Sequence, residues 1–160
     1  MSNLAFCRAR RKAELPAFVR VLKALPKDRL DYRPDPKARS AAELAWMLAA
    51  EEKALVSLLE TGMIEWTDEA PPALDETLST FEKSALAVDE RLEKLDEAGW
   101  EKPGRFMVGG KVAWEDTVGQ LVWGFLFDAI HHRGQLSTYL RPMGGKVPAI
   151  YGPSADDSGQ

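Results

Sequence analysis

The sequence predicts an all-α fold, a four-helix bundle, from three observations: the positions of glycine and proline, the spacing of apolar residues, and the helix-capping residues. Glycine and proline interrupt the 160-residue chain at residues 26–36, 62–72, 99–110 and from 142 onward. Between these breaks, apolar residues recur every three or four positions, the period of a helix with one buried face. Four such helices bury their apolar faces best against one another.

The predicted helices cover about residues 3–25, 40–61, 74–98 and 115–141. Pro16 lies inside the first of them, so either that helix begins at Pro16 or a longer helix is kinked there, and we favour the kink.

Capping residues support the helix boundaries. Ser40 and Glu43 have the spacing of a capping box at the start of the second helix. Thr117 can cap the fourth helix, although a start near Glu115 is also compatible with the sequence. Pro142 and the glycines after it end that helix.

Three further segments lie outside the predicted helices. The connection at residues 26–39 is long for neighbouring antiparallel helices, which predicts a crossover along the bundle. Residues 105–114 place two short apolar runs around Gly109 and Gly110, which fits either a β-hairpin or an irregular loop. Residues 142–160 have no helical period, so we expect an irregular C-terminal tail draped over the bundle.

The composition is typical of one globular domain, which we expect to cover residues 1–160. Hydrophobic residues make up 45% of the chain and charged residues 29%. With 21 basic and 25 acidic side chains, the net charge of −4 argues against a nucleic-acid partner. The single cysteine, Cys7, excludes an intrachain disulfide and a cysteine-based zinc site. The chain has no signal-peptide pattern and no long apolar run, so we expect a cytoplasmic protein without a membrane partner.

Two polar residues interrupt the apolar faces. Glu51 lies between Leu48 and Leu55, and His132 lies on the apolar face of the fourth helix with Asp128 one turn before it. A lone buried carboxylate is costly unless it is paired, protonated or bound to a cation. Because helix bundles often hold carboxylate–histidine metal sites, one interpretation is a divalent metal bound by Glu51, Asp128 and His132.

The alternative is a structural role for the same residues. Asp128 and His132 would then pair with each other, and Glu51 would pair with an arginine such as Arg133. His131 points about 100° away from His132 on the helix, which is more typical of a contact with a loop or a partner than of a ligand. One sequence does not give the register between helices, so both interpretations stay open.

Several motifs of the chain resemble a known superfamily. At the C-terminal end these are HHRGQL at 131–136, YLR at 139–141, Pro148 and Tyr151-Gly152. Nearer the N-terminus they are LPKDRLDYRP at 25–34, Ser40 and ELAW at 43–46. Over most of the chain this pattern is similar to the DinB/YfiT-like superfamily. The resemblance implies a four-helix bundle with a long first crossover, often dimeric.

The resemblance also implies a chemistry. Many members bind nickel or zinc through three histidines, and characterised members include thiol-dependent S-transferases, a mycothiol-dependent maleylpyruvate isomerase and metal-dependent hydrolases. At the three corresponding positions this chain has Met47, Asp128 and His132, with Glu51 one turn beyond Met47.

Two functional hypotheses follow from this altered ligand set. The first is a hydrolase or thiol S-transferase that acts on a small molecule with a divalent metal, nickel or zinc, bound by Glu51, Asp128 and His132. The second is a non-catalytic homodimeric module that binds a small molecule or a protein and has lost the metal. A homodimer is expected in both cases.

Overall fold

The computed structural model describes residues 1–159, and most of these residues lie in four long helices. The helices are α1 (Asn3–Lys23), α2 (Ala41–Thr61), α3 (Leu74–Lys94), the one-turn α4 (Glu97–Trp100) and α5 (Val118–Leu140). Three short strands complete the fold: β1 (Met63–Trp66), β2 (Pro103–Val108) and β3 (Lys111–Thr117). The all-α prediction was therefore incomplete, because it left out a three-stranded sheet.

The sheet has the order β1-β2-β3, with β1 parallel to β2 and β2 antiparallel to β3. Of the two alternatives for residues 105–114, the hairpin is confirmed. Gly109 and Gly110 form its turn with φ angles of 57° and 73°, a left-handed conformation that glycine adopts without strain. Strand β1 was not predicted, because its four residues are too few to show a reliable alternation.

Two predicted helix ends differ from the structure. The third helix ends at Lys94 and not at 98, because Leu95 is extended and the Asp96 side chain caps α4 by accepting from the Gly99 N–H. The fourth helix begins at Val118 and not near 115, because the residues before it pair with β2.

The predicted caps are confirmed. The Ser40 hydroxyl accepts a hydrogen bond from the Glu43 N–H, and the Glu43 carboxylate accepts one from the Ser40 N–H at 2.6 Å. The Thr117 hydroxyl accepts from the Gln120 N–H at the start of α5. Helix α1 continues through Pro16, so a start at that residue is excluded.

The C-terminal tail is irregular and packs on the helices. Its anchors include the Arg141–Asp156 ion pair at 2.9 Å and the hydrogen bond from the Arg20 side chain to the Ala149 carbonyl. None of the helices in the described part of the chain has the length and apolarity needed to cross a bilayer.

Buried charges divide the core into two apolar clusters. On α1, Arg11 and Glu14 lie between Cys7 of one cluster and Phe18 of the other. On α2, Glu51 and Glu52 lie between Leu48 and Leu55 of the same two clusters. Arg11 donates to both Glu52 carboxylate oxygens, at 3.1 and 2.9 Å, and to Asp89 on α3 at 3.0 Å. A layer of buried polar side chains therefore separates the two apolar clusters.

Candidate metal centre

The structure brings Glu51 of this layer together with the half-buried His132 and the exposed Asp128 of α5. His132 Nε2 lies 3.5 Å from Asp128 Oδ2 and 3.7 Å from Glu51 Oε1. One ligand atom from each of the three residues lies within 4.8 Å of the others. Two atoms that ligate the same tetrahedral zinc ion lie about 3.4 Å apart. The cluster therefore has nearly the spacing that a shared ion requires.

The Glu51 carboxyl group is buried, and one of its two oxygens is without a hydrogen-bond partner in the described part of the chain. The side chain is 3% exposed, and its Oε2 atom has no hydrogen-bond partner among residues 1–159. Burial raises the pKa of Glu51 well above its usual value, and the neighbouring Asp128 raises it further. Such a carboxyl group is stabilised by taking up a proton or by binding a cation.

The proposed structural partner of Glu51 is bound elsewhere. Arg133 is buried between the rings of Phe18 and Tyr151, and it donates to Glu14 at 2.6 Å and to the Tyr151 hydroxyl at 2.6 Å. The interpretation in which Arg133 satisfies Glu51 is therefore wrong.

His132 is oriented by a neighbour on its own helix. Its Nδ1 atom lies 2.8 Å from the Gln135 side-chain carbonyl oxygen. Because that oxygen only accepts, this hydrogen bond requires the hydrogen on Nδ1, and Nε2 is the ring nitrogen that faces the two carboxylates. This is the arrangement in which a histidine commonly ligates a metal.

A cavity of about 640 Å³ opens beside the three side chains, all of which line it. Its other walls are largely aromatic and come from all three strands and from α5: Trp66, Phe106, Trp114, Phe125 and Phe127. Met47, which lies at a position where the resemblance implied a histidine ligand, also lines the cavity. So does His131, which the helical-wheel argument did not predict.

The sheet supplies a wall that helices alone would not provide. Phe106 and Trp114 are direct cross-strand partners, so their side chains share one face of the hairpin. Phe106 meets Phe125 of α5 edge to face, with the ring centroids 5.7 Å apart. Trp114 packs so closely on Gly124 that a Cβ atom there would clash with its indole ring.

The sequence interpretation missed most of this wall. Phe106 lies three residues before the glycine pair and Trp114 lies four residues after it, so a register shift in the hairpin is needed to bring them opposite each other. The apolar runs on both sides of the glycines are the signal that could have placed aromatic residues on one hairpin face. Arg39, which also lines the cavity, carries no comparable signal.

The model of the DinB family matches residues 12–160. The chain belongs to the DinB family. No functionally curated protein matches this DinB chain.

Solved DinB-like proteins have the same fold. One from Bacillus subtilis has 17% sequence identity and a TM-score of 0.69, covering 94% of this chain and 98% of its own. One from Bacillus cereus has 17% identity and a TM-score of 0.71, covering 88% and 92%.

A mycothiol-dependent maleylpyruvate isomerase is also similar, with 11% identity and a TM-score of 0.63 over 91% of this chain. The alignment spans 62% of the isomerase. At 11% to 17% sequence identity, these structural similarities establish the fold of the chain.

Proposed function

We propose that this DinB protein is a metal-dependent enzyme of the hydrolase or thiol S-transferase type that acts on a small molecule. Glu51, Asp128 and His132 bind the metal, nickel or zinc, at the wall of the aromatic cavity. The observation that carries the proposal is the buried Glu51 carboxyl group, with an unpartnered oxygen and with His132 Nε2 3.7 Å from its other oxygen.

The donor set fits a divalent first-row metal. One imidazole nitrogen and two carboxylate oxygens are ligands that zinc accepts. The two carboxylates balance the charge of a divalent cation, which makes its binding in a mostly apolar site favourable. Three protein ligands also leave a coordination position open to the cavity.

Each group has a distinct part in this proposal. A divalent cation supplies Lewis acidity and lowers the pKa of a water or thiol that it binds. Gln135 holds the His132 ring in its ligating tautomer. The aromatic walls exclude water and bind the apolar part of a substrate.

A shared fold supports the thiol-dependent type. The fold is shared with a mycothiol-dependent isomerase. The chain's own thiol does not serve as the nucleophile, because Cys7 is fully buried and burial raises its pKa to about 11. A reactive thiol would come from a small-molecule cofactor.

Metal uptake by paired histidine variants tests the proposal. Untagged protein is incubated with zinc or nickel, dialysed and subjected to elemental analysis, and we expect about one ion per chain. His132→Ala should lose this uptake, whereas its neighbour His131→Ala should keep it. Circular dichroism checks that both variants are folded. A wild-type chain that takes up neither metal, or equal losses in the two variants, would contradict the proposal.

A second candidate is the non-catalytic homodimeric module. An exposed aromatic cluster offers the contact surface that such a dimer needs: Phe6 and Phe127 are 54% and 61% exposed, and both rings pack against Trp123. Light scattering should then give the mass of a dimer for wild type and of a monomer for Phe6→Asp, with no metal taken up. A wild-type monomer would exclude this candidate.

A further inference from the structure

Arg39 lies at the junction of two cavities. It precedes the N-cap residue of α2 and lines the aromatic cavity together with a second cavity of about 340 Å³. Met47 and Trp66 line both cavities as well. A ligand that fills the aromatic cavity can therefore reach Arg39.

The Arg39 guanidinium group has no carboxylate partner in the part of the chain that the structure describes. The acidic residues around the second cavity are bound by other donors: Glu43 by Arg33 at 2.8 Å, Glu69 by Lys53 at 3.2 Å, and Asp68 by the Trp66 indole N–H at 3.3 Å. In the aromatic cavity, the carboxylates of Glu51 and Asp128 face His132. Arg39 is thus a cation available to a ligand.

We propose that Arg39 binds the carboxylate of a small monoanionic substrate whose apolar, planar body lies between the aromatic walls. The inference rests on the proposed function, because it assigns the substrate class of the same site. A guanidinium group binds a carboxylate through two parallel hydrogen bonds, which fixes both the position and the orientation of the ligand.

The charges of the site favour a monoanion. A divalent cation balances Glu51 and Asp128, so Arg39 contributes the remaining positive charge. A carboxylate cancels that charge, whereas a phosphate dianion leaves one negative charge uncompensated. The amide of the same acid offers one acceptor oxygen where the carboxylate offers two, and it carries no negative charge, so it replaces only part of the hydrogen bonds that the guanidinium group makes with water. The site should therefore discriminate an acid from its amide.

Binding of phenylacetate and phenylacetamide tests this assignment. Trp66 and Trp114 line the aromatic cavity, so quenching of tryptophan fluorescence reports occupancy. The variant is Arg39→Gln. The hydrogen bond that the Arg39 backbone carbonyl accepts from the Tyr139 hydroxyl does not involve the changed side chain. The matched control is Lys37→Gln, which removes the same charge from an exposed residue two positions away.

We expect wild type and the control to bind phenylacetate at least about tenfold more tightly than phenylacetamide. Arg39→Gln should lose this preference through weaker binding of the acid, with unchanged binding of the amide and unchanged zinc uptake. Equal affinity of wild type for the two probes, or binding of neither, would overturn the inference. Stronger competition by inorganic phosphate than by phenylacetate would overturn the choice of a carboxylate.

Repeating the titrations with zinc-loaded and metal-free protein separates this inference from the proposed function. If removal of zinc abolishes phenylacetate binding and Arg39→Gln does not change it, the metal binds the carboxylate and the role of Arg39 is wrong. If wild type takes up no metal but Arg39→Gln still loses phenylacetate, the proposed function fails and the anion site stands.

Discussion

Glu51 Oε1 on α2 lies 3.7 Å from His132 Nε2 on α5, and a buried ion pair flanks each of these residues. Glu52, next to Glu51, binds Arg11 of α1, and Arg133, next to His132, binds Glu14 of α1. Helix α1 contributes no residue to the candidate metal centre. Its two ion pairs nevertheless hold α2 and α5 in the register that brings the ligands together.

Glu51→Gln distinguishes a ligand from a structural carboxyl group. We expect the variant to lose zinc uptake, because an amide is a poor ligand, while its metal-free form is at least as stable as metal-free wild type at pH 8. The reason is that Gln removes the cost of ionising a buried, unpartnered carboxyl group. Urea unfolding in the presence of a chelator measures the difference. A large loss of stability in the metal-free variant would indicate a structural partner for Glu51.

The close packing of Trp114 on α5 can be tested at Gly124. Gly124→Ala places a Cβ atom against the indole ring, so we expect a cost of about 1–3 kcal/mol and a changed fluorescence spectrum. Gly134→Ala is the matched control on the same helix, since nothing lies within 4 Å of its Cβ position. That change should stabilise the protein by about 0.5–1 kcal/mol. Equal effects of the two substitutions on thermal unfolding would contradict the packing described here.

Because of the Glu14–Arg133 ion pair, we expect the free energy of unfolding to fall at acidic pH. Burial opposes ionisation of Glu14, but hydrogen bonds from Arg10, Arg133 and Tyr151 outweigh it and lower its pKa below the usual 4.5. The folded state therefore binds the proton less readily than the unfolded state. The stabilisation is complete above about pH 4.5 and is lost as the pH falls through the lowered pKa.

Glu14→Gln removes this contribution. At pH 7 it should lower the free energy of unfolding by about 3–5 kcal/mol, because Arg133 remains buried without its partner. The difference from wild type should narrow below pH 4.5. Urea unfolding at pH 7 and pH 3.5 measures the difference between the variant and wild type. The control is Glu90→Gln, which changes an exposed glutamate. A difference that stays constant between the two pH values would refute the assignment.

Cys7 should be unreactive in the folded protein. Its side chain is fully buried, and burial raises its pKa to about 11, so almost no thiolate exists at pH 8. We expect no reaction with a thiol reagent until concentrated urea is added. A second thiol placed on the surface by Lys37→Cys should react in the native state. Rapid native reaction of wild type would show that Cys7 is accessible.

The helical part of the candidate centre could be predicted from the sequence. Glu51 and His132 occupy positions on buried helix faces, and Asp128 lies one turn from His132, so packing of those faces brings the three residues together. The capping box at Ser40 located the start of α2 for a similar reason, because caps are local interactions. Thr117 did not fix the start of α5 in the same way, because a start near 115 was also compatible with the sequence.

The cavity wall could not be predicted in the same way. Strand β1 pairs with β2 in parallel across a gap of about forty residues, Met63 opposite Arg105, and no local pattern encodes such a pairing. Arg39 lies in a connecting segment, where the direction of a side chain depends on the packing of distant elements. The sequence therefore indicated the three candidate ligands but not the shape of the cavity in front of them.

The central claim is that Glu51, Asp128 and His132 bind one divalent ion. Crystals of the zinc-loaded protein, measured above and below the zinc absorption edge, test it most directly. We expect one anomalous peak about 2.0–2.2 Å from Glu51 Oε1, Asp128 Oδ2 and His132 Nε2. A zinc-soaked crystal with no anomalous peak among these three atoms, or with the peak at other residues, would contradict the claim.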